Sequence, residues 1–119
     1  MLEKLRIRIR PEIILIGLIF CSTLFIPEAS LALDGAQLFS SKCVACHGSK
    51  GKGTQVGPAL RGDPFVIQGA PEEIKKVIMT GRTEKEKKYP NIMIPMPTGL
   101  ASEAEADALV TYLKGDLQK

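Results

Sequence analysis

A short run in the first half of the chain, Cys43-Val44-Ala45-Cys46-His47, combines residue types that can do chemistry. Two thiols separated by two residues can form thioether bonds to the two vinyl groups of one porphyrin. The imidazole that follows the second thiol can then bind the iron from one side. His47 is the only histidine of the chain, and the third cysteine, Cys21, lies in an apolar segment near the amino terminus. The pattern predicts one haem c, bonded to Cys43 and Cys46, with His47 as a ligand of the iron.

Three other interpretations of this run are open at the level of sequence. A structural zinc site needs four ligands, usually in two separated pairs, and the chain has no second pair of cysteines or histidines. A thioredoxin-like redox pair normally follows a strand inside a βαβ unit, and no β-branched run precedes Cys43. A plain structural disulfide between Cys43 and Cys46 is the third interpretation.

The amino-terminal segment has the layout of a secretory signal peptide. Basic residues between positions 4 and 10 are followed by an apolar run over residues 13–26 and then by small residues that include Ser30 and Ala32. We predict a signal peptide over residues 1–32, with cleavage after Ala32. An uncleaved anchor is the alternative, but a spanning helix needs about 20 apolar residues, and this run is shorter. Export to the periplasm is therefore expected, with the thylakoid lumen, or a membrane anchor if the leader is retained, as alternatives.

Residues 33–119 form a single small domain in this interpretation. The sequence lacks tryptophan and has few other large side chains, so a protein core of this size is hard to stabilise by itself. A bound haem would supply the missing apolar bulk. The formal net charge of the chain is only +3, which gives no indication of nucleic acid binding.

Capping residues and apolar spacing predict three helices and no strand. Each helix has a polar or proline start followed by apolar residues at i, i+3 and i+4. Their expected bounds run from Asp34 to near His47, from Pro71 to Gly81, and from Ser102 to Gly115. Gln37 and Glu105 lie at the positions that complete capping boxes with Asp34 and Ser102. The fold class predicted from the residues is therefore all-α.

Two segments between these helices are predicted to be loops. The glycine-rich residues 48–60 lack the strand and the Gly-Lys-Ser/Thr pattern of a nucleotide site. Close wrapping of this backbone around a flat cofactor is the better interpretation. The charged residues 82–88 show no periodicity and are expected to form a solvated loop.

A methionine is the expected second axial ligand of the iron, because the chain has no second histidine. Met93 and Met96 both lie in a segment that is stiffened by Pro90, Pro95 and Pro97. Such a segment can hold a weak ligand in place. The local sequence does not choose between the two methionines.

The chain resembles the short bacterial class I cytochromes c. The resemblance rests on Cys43-x-x-Cys46-His47, Gly57-Pro58-x-Leu60, Ile94-Pro95-Met96-Pro97 and the last helix, and it extends over residues 33–119. It implies a cytochrome c fold, with three to four helices around one covalently attached haem. It also implies that Met96, rather than Met93, is the ligand.

The resemblance further implies two contacts. The Pro58 carbonyl is expected to accept a hydrogen bond from the second nitrogen of His47, although the local sequence is equally compatible with an ordinary turn proline. The face of the first helix that carries Gly35 and Phe39 is expected to cross the last helix.

The implied function is that of an exported monohaem electron carrier, a monomer and not an enzyme, that works between protein redox donors and acceptors. No membrane contact is expected once the signal peptide is removed. A fixed electron-transfer subunit of an oxidase or dehydrogenase complex is the main alternative, and a ligand-binding or peroxidatic haem protein is a further one. Five lysines could form a basic docking face, but interspersed glutamates favour an ordinary solvated surface; these lysines are Lys75, Lys76, Lys85, Lys87 and Lys88.

Overall fold

The computed structural model describes residues 32–119, and the predicted signal peptide lies outside the described residues except for Ala32. The elements within this range are helical, and no strand occurs in it. The five α-helices are α1 (Gly35–Lys42), α2 (Val44–His47), α3 (Pro64–Gln68), α4 (Pro71–Thr80) and α5 (Glu103–Lys114). Single turns of 3₁₀ helix occupy Ser49–Gly51, Glu84–Glu86 and Asp116–Gln118. The all-α prediction is confirmed. None of the helices in this part of the chain has the length and apolar character needed to cross a membrane.

The first predicted helix is divided into α1 and α2. The Asp34 carboxylate accepts hydrogen bonds from the backbone amides of Ala36 and Gln37 at 2.9 and 3.3 Å, as a cap should. The reciprocal bond expected from the Gln37 side chain is absent from this part of the structure. The division comes at Cys43, whose carbonyl accepts from the amides of both Cys46 (3.2 Å) and His47 (2.9 Å). This tightened turn separates α1 from residues 43–47, which are called the attachment run below.

Helix α3 was not predicted from the sequence. Its cap is Asp63, whose carboxylate accepts from the amides of Phe65 (2.8 Å) and Val66 (3.2 Å). Pro64 occupies the first helical position, where its missing amide costs nothing. The dipeptide Asp63-Pro64 was therefore a usable signal. A helix of five residues shows too little apolar periodicity to be recognised without it.

Helices α4 and α5 begin and end close to the expected residues. Gly81 ends α4 with a φ of 66°, a left-handed conformation that favours glycine. At the start of α5, the Ser102 amide donates to the Glu105 carboxylate at 2.8 Å, and the Glu105 amide donates to the Ser102 hydroxyl at 3.4 Å. The predicted capping box of α5 is confirmed.

Helix α5 is the central element of the core. It packs against α1, α4 and α3, and it contributes four buried residues, namely Ala106, Leu109, Val110 and Leu113. The ring of Phe39 on α1 lies 5.6 Å from that of Tyr112, which confirms the expected crossing of the first and last helices. Buried Ile74 and Ile78 of α4 join the same core. This packing places α2 and the segment after α4 on either side of an apolar crevice, which is described below.

Candidate functional site

His47 is buried at the end of α2, with 9% of its surface exposed. Its Nδ1 lies 2.8 Å from the carbonyl oxygen of Pro58, so the contact implied by the resemblance is present. Because a carbonyl can only accept a hydrogen bond, Nδ1 must donate the proton. That tautomer leaves the lone pair on Nε2, the nitrogen available to a metal.

The glycine-rich loop lies directly against the attachment run. Thr54 donates a hydrogen bond from its hydroxyl to the Cys46 carbonyl at 2.6 Å, and the Gly53 amide donates to the His47 carbonyl at 2.7 Å. A Cβ at Gly57 would lie 2.7 Å from the Cys46 carbonyl carbon, closer than real side chains come. Because Gly57 has no side chain, the loop backbone can lie close to the backbone of residues 43–47. This close packing brings the carbonyl of the next residue, Pro58, within hydrogen-bond distance of His47.

Two adjoining cavities, of about 110 and 230 Å³, form an apolar crevice beside His47. Folded interiors contain few voids larger than a water molecule, so space of this size in so small a core indicates a ligand site. Most of the residues that line both cavities are apolar; the shared residues are His47, Pro58, Leu60, Ile78, Ile94, Pro95, Met96 and Leu113. Cys43 and Cys46 line only the larger cavity.

Both cysteines of the attachment run are free and half-buried. Burial raises the pKa of the Cys43 thiol to about 11, and the positive charge of Lys42 only partly opposes this effect. A thioredoxin-like pair has the opposite property, because its nucleophilic thiol has a lowered pKa. The all-α fold also lacks the βαβ unit of that class within residues 32–119. In the same range, no group of three or more His, Cys, Asp or Glu side chains is arranged to hold a metal ion.

The two candidate methionines differ in position. Met96 is half-buried and lines both cavities, whereas Met93 is 77% exposed and lines neither. The carbonyl of Met96 accepts a hydrogen bond from the Arg82 amide at 2.9 Å, just beyond the end of α4. The proline-rich segment is therefore attached to the helix that forms one wall of the crevice.

The charged segment 82–88 is mostly exposed, as expected from its sequence, but part of it also contacts the crevice and α3. Three of its cations, Arg82, Lys87 and Lys88, line the smaller cavity. Arg82 and Lys88 lie 5.4 and 5.3 Å from the centre of the Phe65 ring, within the range of cation–π attraction. Glu84–Glu86 form a 3₁₀ turn with its own capping box. Aromatic contacts and capping, which leave no periodic signal in a sequence, fold this segment onto α3.

Tyr89, the residue after this segment, connects the segment to the start of α3. The Tyr89 hydroxyl donates a hydrogen bond to the Asp63 carboxylate, the side chain that also caps α3. This bond, together with partial burial, raises the pKa of Tyr89 to about 12.

One of the five lysines that could form a basic docking face makes contacts within the protein instead. Lys75, whose side chain is 15% exposed, pairs with Glu103 at 3.2 Å and with Asp107 at 2.8 Å on α5. Lys76, Lys85 and Lys88 are exposed.

The residues around the crevice fit a covalently attached haem. The larger cavity offers two free thiols, the apolar walls suit a porphyrin, and His47 is held in the tautomer that binds iron. A family model described as "Cytochrome c" matches residues 32–115. This family consists of haem-binding electron-transfer proteins with covalently bound haem c, and the spacing of Cys43, Cys46 and His47 agrees with its attachment motif. Because the family model matches most of its length, the chain belongs to the cytochrome c family.

Proposed function

We propose that this protein is an exported monohaem cytochrome c that carries single electrons between redox proteins, with His47 and Met96 as axial ligands. One observation carries the ligand assignment. His47 and Met96 line both cavities of a single crevice. Met93, the other candidate ligand, is largely exposed to solvent and lines neither cavity.

Each residue of the site has a separate task in this proposal. Cys43 and Cys46 bond the cofactor to the larger cavity, and the hydrogen bond from Nδ1 to Pro58 fixes the ring of His47. The bound haem iron supplies the one-electron couple. The Met96 thioether, a neutral and soft donor, favours the reduced metal and raises the reduction potential. If His47 and Met96 both bind the iron, no ligand position would remain for a substrate.

The crevice also offers a route for electrons to the surface. Ile94 lines both cavities and is 54% exposed, so the wall of the crevice is itself part of the molecular surface. A partner that docks over this apolar edge can exchange an electron without any rearrangement of the fold. We propose protein donors and acceptors as partners and a monomer as the working form.

Export rests on the leader alone. We propose that residues 1–32 direct the chain to the periplasm and are then removed. Export to that compartment fits the attachment of haem to thiols, which takes place outside the cytoplasm. The mature amino terminus of the purified protein tests this, and a start at Met1 would contradict it.

The paired variants Met96→Ala and Met93→Ala test the ligand assignment. Met96→Ala should lose the weak near-infrared band of methionine-bound ferric haem, bind carbon monoxide readily and show a lower reduction potential. Met93→Ala should keep the band and the potential of the wild type, because its side chain is exposed. The reverse pattern would assign Met93 as the ligand.

Haem type and attachment are tested together by a pyridine haemochrome spectrum of the purified holoprotein. A c-type spectrum that survives extraction with acidified acetone is the expected result. A colourless protein, or a pigment that acidified acetone extracts, would refute the proposal.

A further inference from the structure

The two cavities of the crevice differ in the charge of their walls. The larger one contains the thiols of Cys43 and Cys46, and Lys42 is its only charged lining residue. The smaller one is lined by three cations, Arg82, Lys87 and Lys88, against a single carboxylate.

That carboxylate, Asp63, already accepts hydrogen bonds at both of its oxygens. Its Oδ1 accepts from the amides of Phe65 and Val66, and its Oδ2 accepts from Tyr89. It is therefore a poor partner for the cations that surround the same cavity.

The cations themselves are held in place but retain unused donors. Arg82 and Lys88 lie over the Phe65 ring, and Lys87 is paired with Glu84 at 3.2 Å. Within residues 32–119, neither Arg82 nor Lys88 forms an ion pair. The Arg82 guanidinium, with five N–H donors, makes one long hydrogen bond of 3.5 Å to the Glu86 carbonyl.

An apolar crevice with cations along one end matches a ligand that has an apolar body and an anionic edge. Cations along an apolar wall can bind an anionic group there, and charge-assisted hydrogen bonds to carboxylates are among the strongest available. A haem has this form, with its two vinyl groups on one edge and its two propionates on the opposite edge. If the thiols of the larger cavity hold the vinyl edge, a haem that also occupies the smaller cavity would place its propionate edge near the three cations.

We propose that Arg82, Lys87 and Lys88 bind the two propionates of the attached haem and thereby raise its reduction potential. The inference rests on the proposed function and adds to it a role for the charged segment. Positive charge close to the iron favours the reduced form, which carries one positive charge less. The aromatic and Asp63 contacts of the segment act as the support that positions these cations.

The test uses the holoproteins of the wild type, Arg82→Gln and Lys88→Gln, with Lys76→Gln as the matched control. Lys76 is an exposed lysine of α4 that lines neither cavity of the crevice. Potentials are measured at about 1 M salt, where the Debye length is about 3 Å, so that charges in direct contact with the haem act and more distant charges are screened. We expect each crevice variant to shift the ratio of reduced to oxidised protein about three- to tenfold towards the oxidised form, tenfold being about 59 mV for one electron. Lys76→Gln should shift it less than twofold.

A second measurement follows the propionates directly. Growth on 5-aminolevulinate labelled with ¹³C in its carboxyl group labels only the two propionate carboxyls of haem, and their signals are compared by NMR. The signals should move in Arg82→Gln and Lys88→Gln, stay in place in Lys76→Gln, and return towards the wild-type position in Arg82→Lys, which keeps the charge. Unmoved carboxyl signals, or equal shifts of potential in crevice and control variants, would overturn the assignment. A wild-type protein without bound haem would instead refute the proposed function, so the two failures are distinguishable.

Discussion

At the scale of single residues, Tyr89 shows how one hydroxyl can connect two segments that are far apart in sequence. It donates to the Asp63 carboxylate, which at the same time caps α3, so the helix and the charged segment share one acceptor. The sequence predicted neither α3 nor this contact, since a hydrogen bond between residues 26 positions apart leaves no local pattern.

Tyr89→Phe should lower the free energy of unfolding by about 1 kcal/mol, the usual worth of one hydrogen bond. Tyr112→Phe is the matched control, because the Tyr112 hydroxyl makes no hydrogen bond within the described residues, and it should be nearly neutral. Denaturant unfolding of the holoproteins measures both. Equal effects of the two variants would contradict the role of the Tyr89 hydroxyl.

The same contact gives a dependence on pH. The pKa of Tyr89 is raised from 10.0 to about 12 in the folded protein, chiefly by the hydrogen bond to Asp63. A raised pKa contributes stability below the unfolded value, and the contribution is lost as the pH rises through the folded value. The difference in stability between the wild type and Tyr89→Phe should therefore be constant below pH 10 and decrease towards pH 12.

At the scale of elements, the crossing of α1 and α5 depends on Gly35. A Cβ at this position would meet the Ala108 carbonyl and would lie 2.6 Å from the Cβ of Tyr112. Backbone atoms of a buried helix cannot move aside easily, so the contact between the two helices needs a residue without a side chain.

Gly35→Ala should lower the free energy of unfolding by about 1–3 kcal/mol, the cost of overpacking. The gain in helix propensity, at most about 1 kcal/mol, is reduced at the first position of a helix and does not offset this cost. Ser40→Ala, an exposed change in the same helix, is the control and should have little effect. A thermal unfolding midpoint of Gly35→Ala at or above that of the wild type would show that the crossing can adapt.

The start of α5 should make the stability sensitive to acid. The side-chain contact with Lys42 and the capping box with Ser102 lower the pKa of Glu105 from 4.5 to about 2. A lowered pKa contributes stability above the unfolded value, and the contribution is lost as the pH falls through the folded value. The difference in stability between the wild type and Glu105→Gln should thus narrow between pH 4.5 and 2. The matched control is Glu72→Gln, which changes a first-turn acid of α4 that has no ion pair in the described residues.

At the scale of the whole molecule, the hydrophobic core and the crevice are continuous and share residues. Leu113 of α5 and Ile78 of α4 belong to the buried core and also line both cavities. The cofactor would therefore complete the hydrophobic core as well as carry the electron. A domain of this size has little stability to lose when such a part is missing.

The double variant Cys43→Ser, Cys46→Ser should accordingly be largely unfolded, because it cannot retain the haem. Far-ultraviolet circular dichroism should show a loss of most of the helical signal. Met93→Ala, which changes an exposed residue outside the crevice, should keep the signal of the wild type. Native helicity in the double variant would show that the protein part of the core is sufficient by itself.

The sequence by itself determined the attachment chemistry and the longer helices. Cys43, Cys46 and His47 are adjacent, so their spacing alone indicates covalent haem, and the caps at Asp34 and Ser102 are equally local. The preference for Met96 came from resemblance to a family, because the residues around Met93 and Met96 are too similar to separate them. These parts rest on interactions between residues a few positions apart.

The tertiary structure decided the contacts between distant segments. It placed Met96, but not Met93, along the two cavities that His47 lines, and it added three cations of a largely exposed segment to the wall of the crevice. It also divided the first helix at Cys43 and added α3. Such features depend on which side chain meets an aromatic ring, a carboxylate or a void after the chain has folded. No local sequence pattern predicts these contacts, because each one depends on how the helices pack around the crevice.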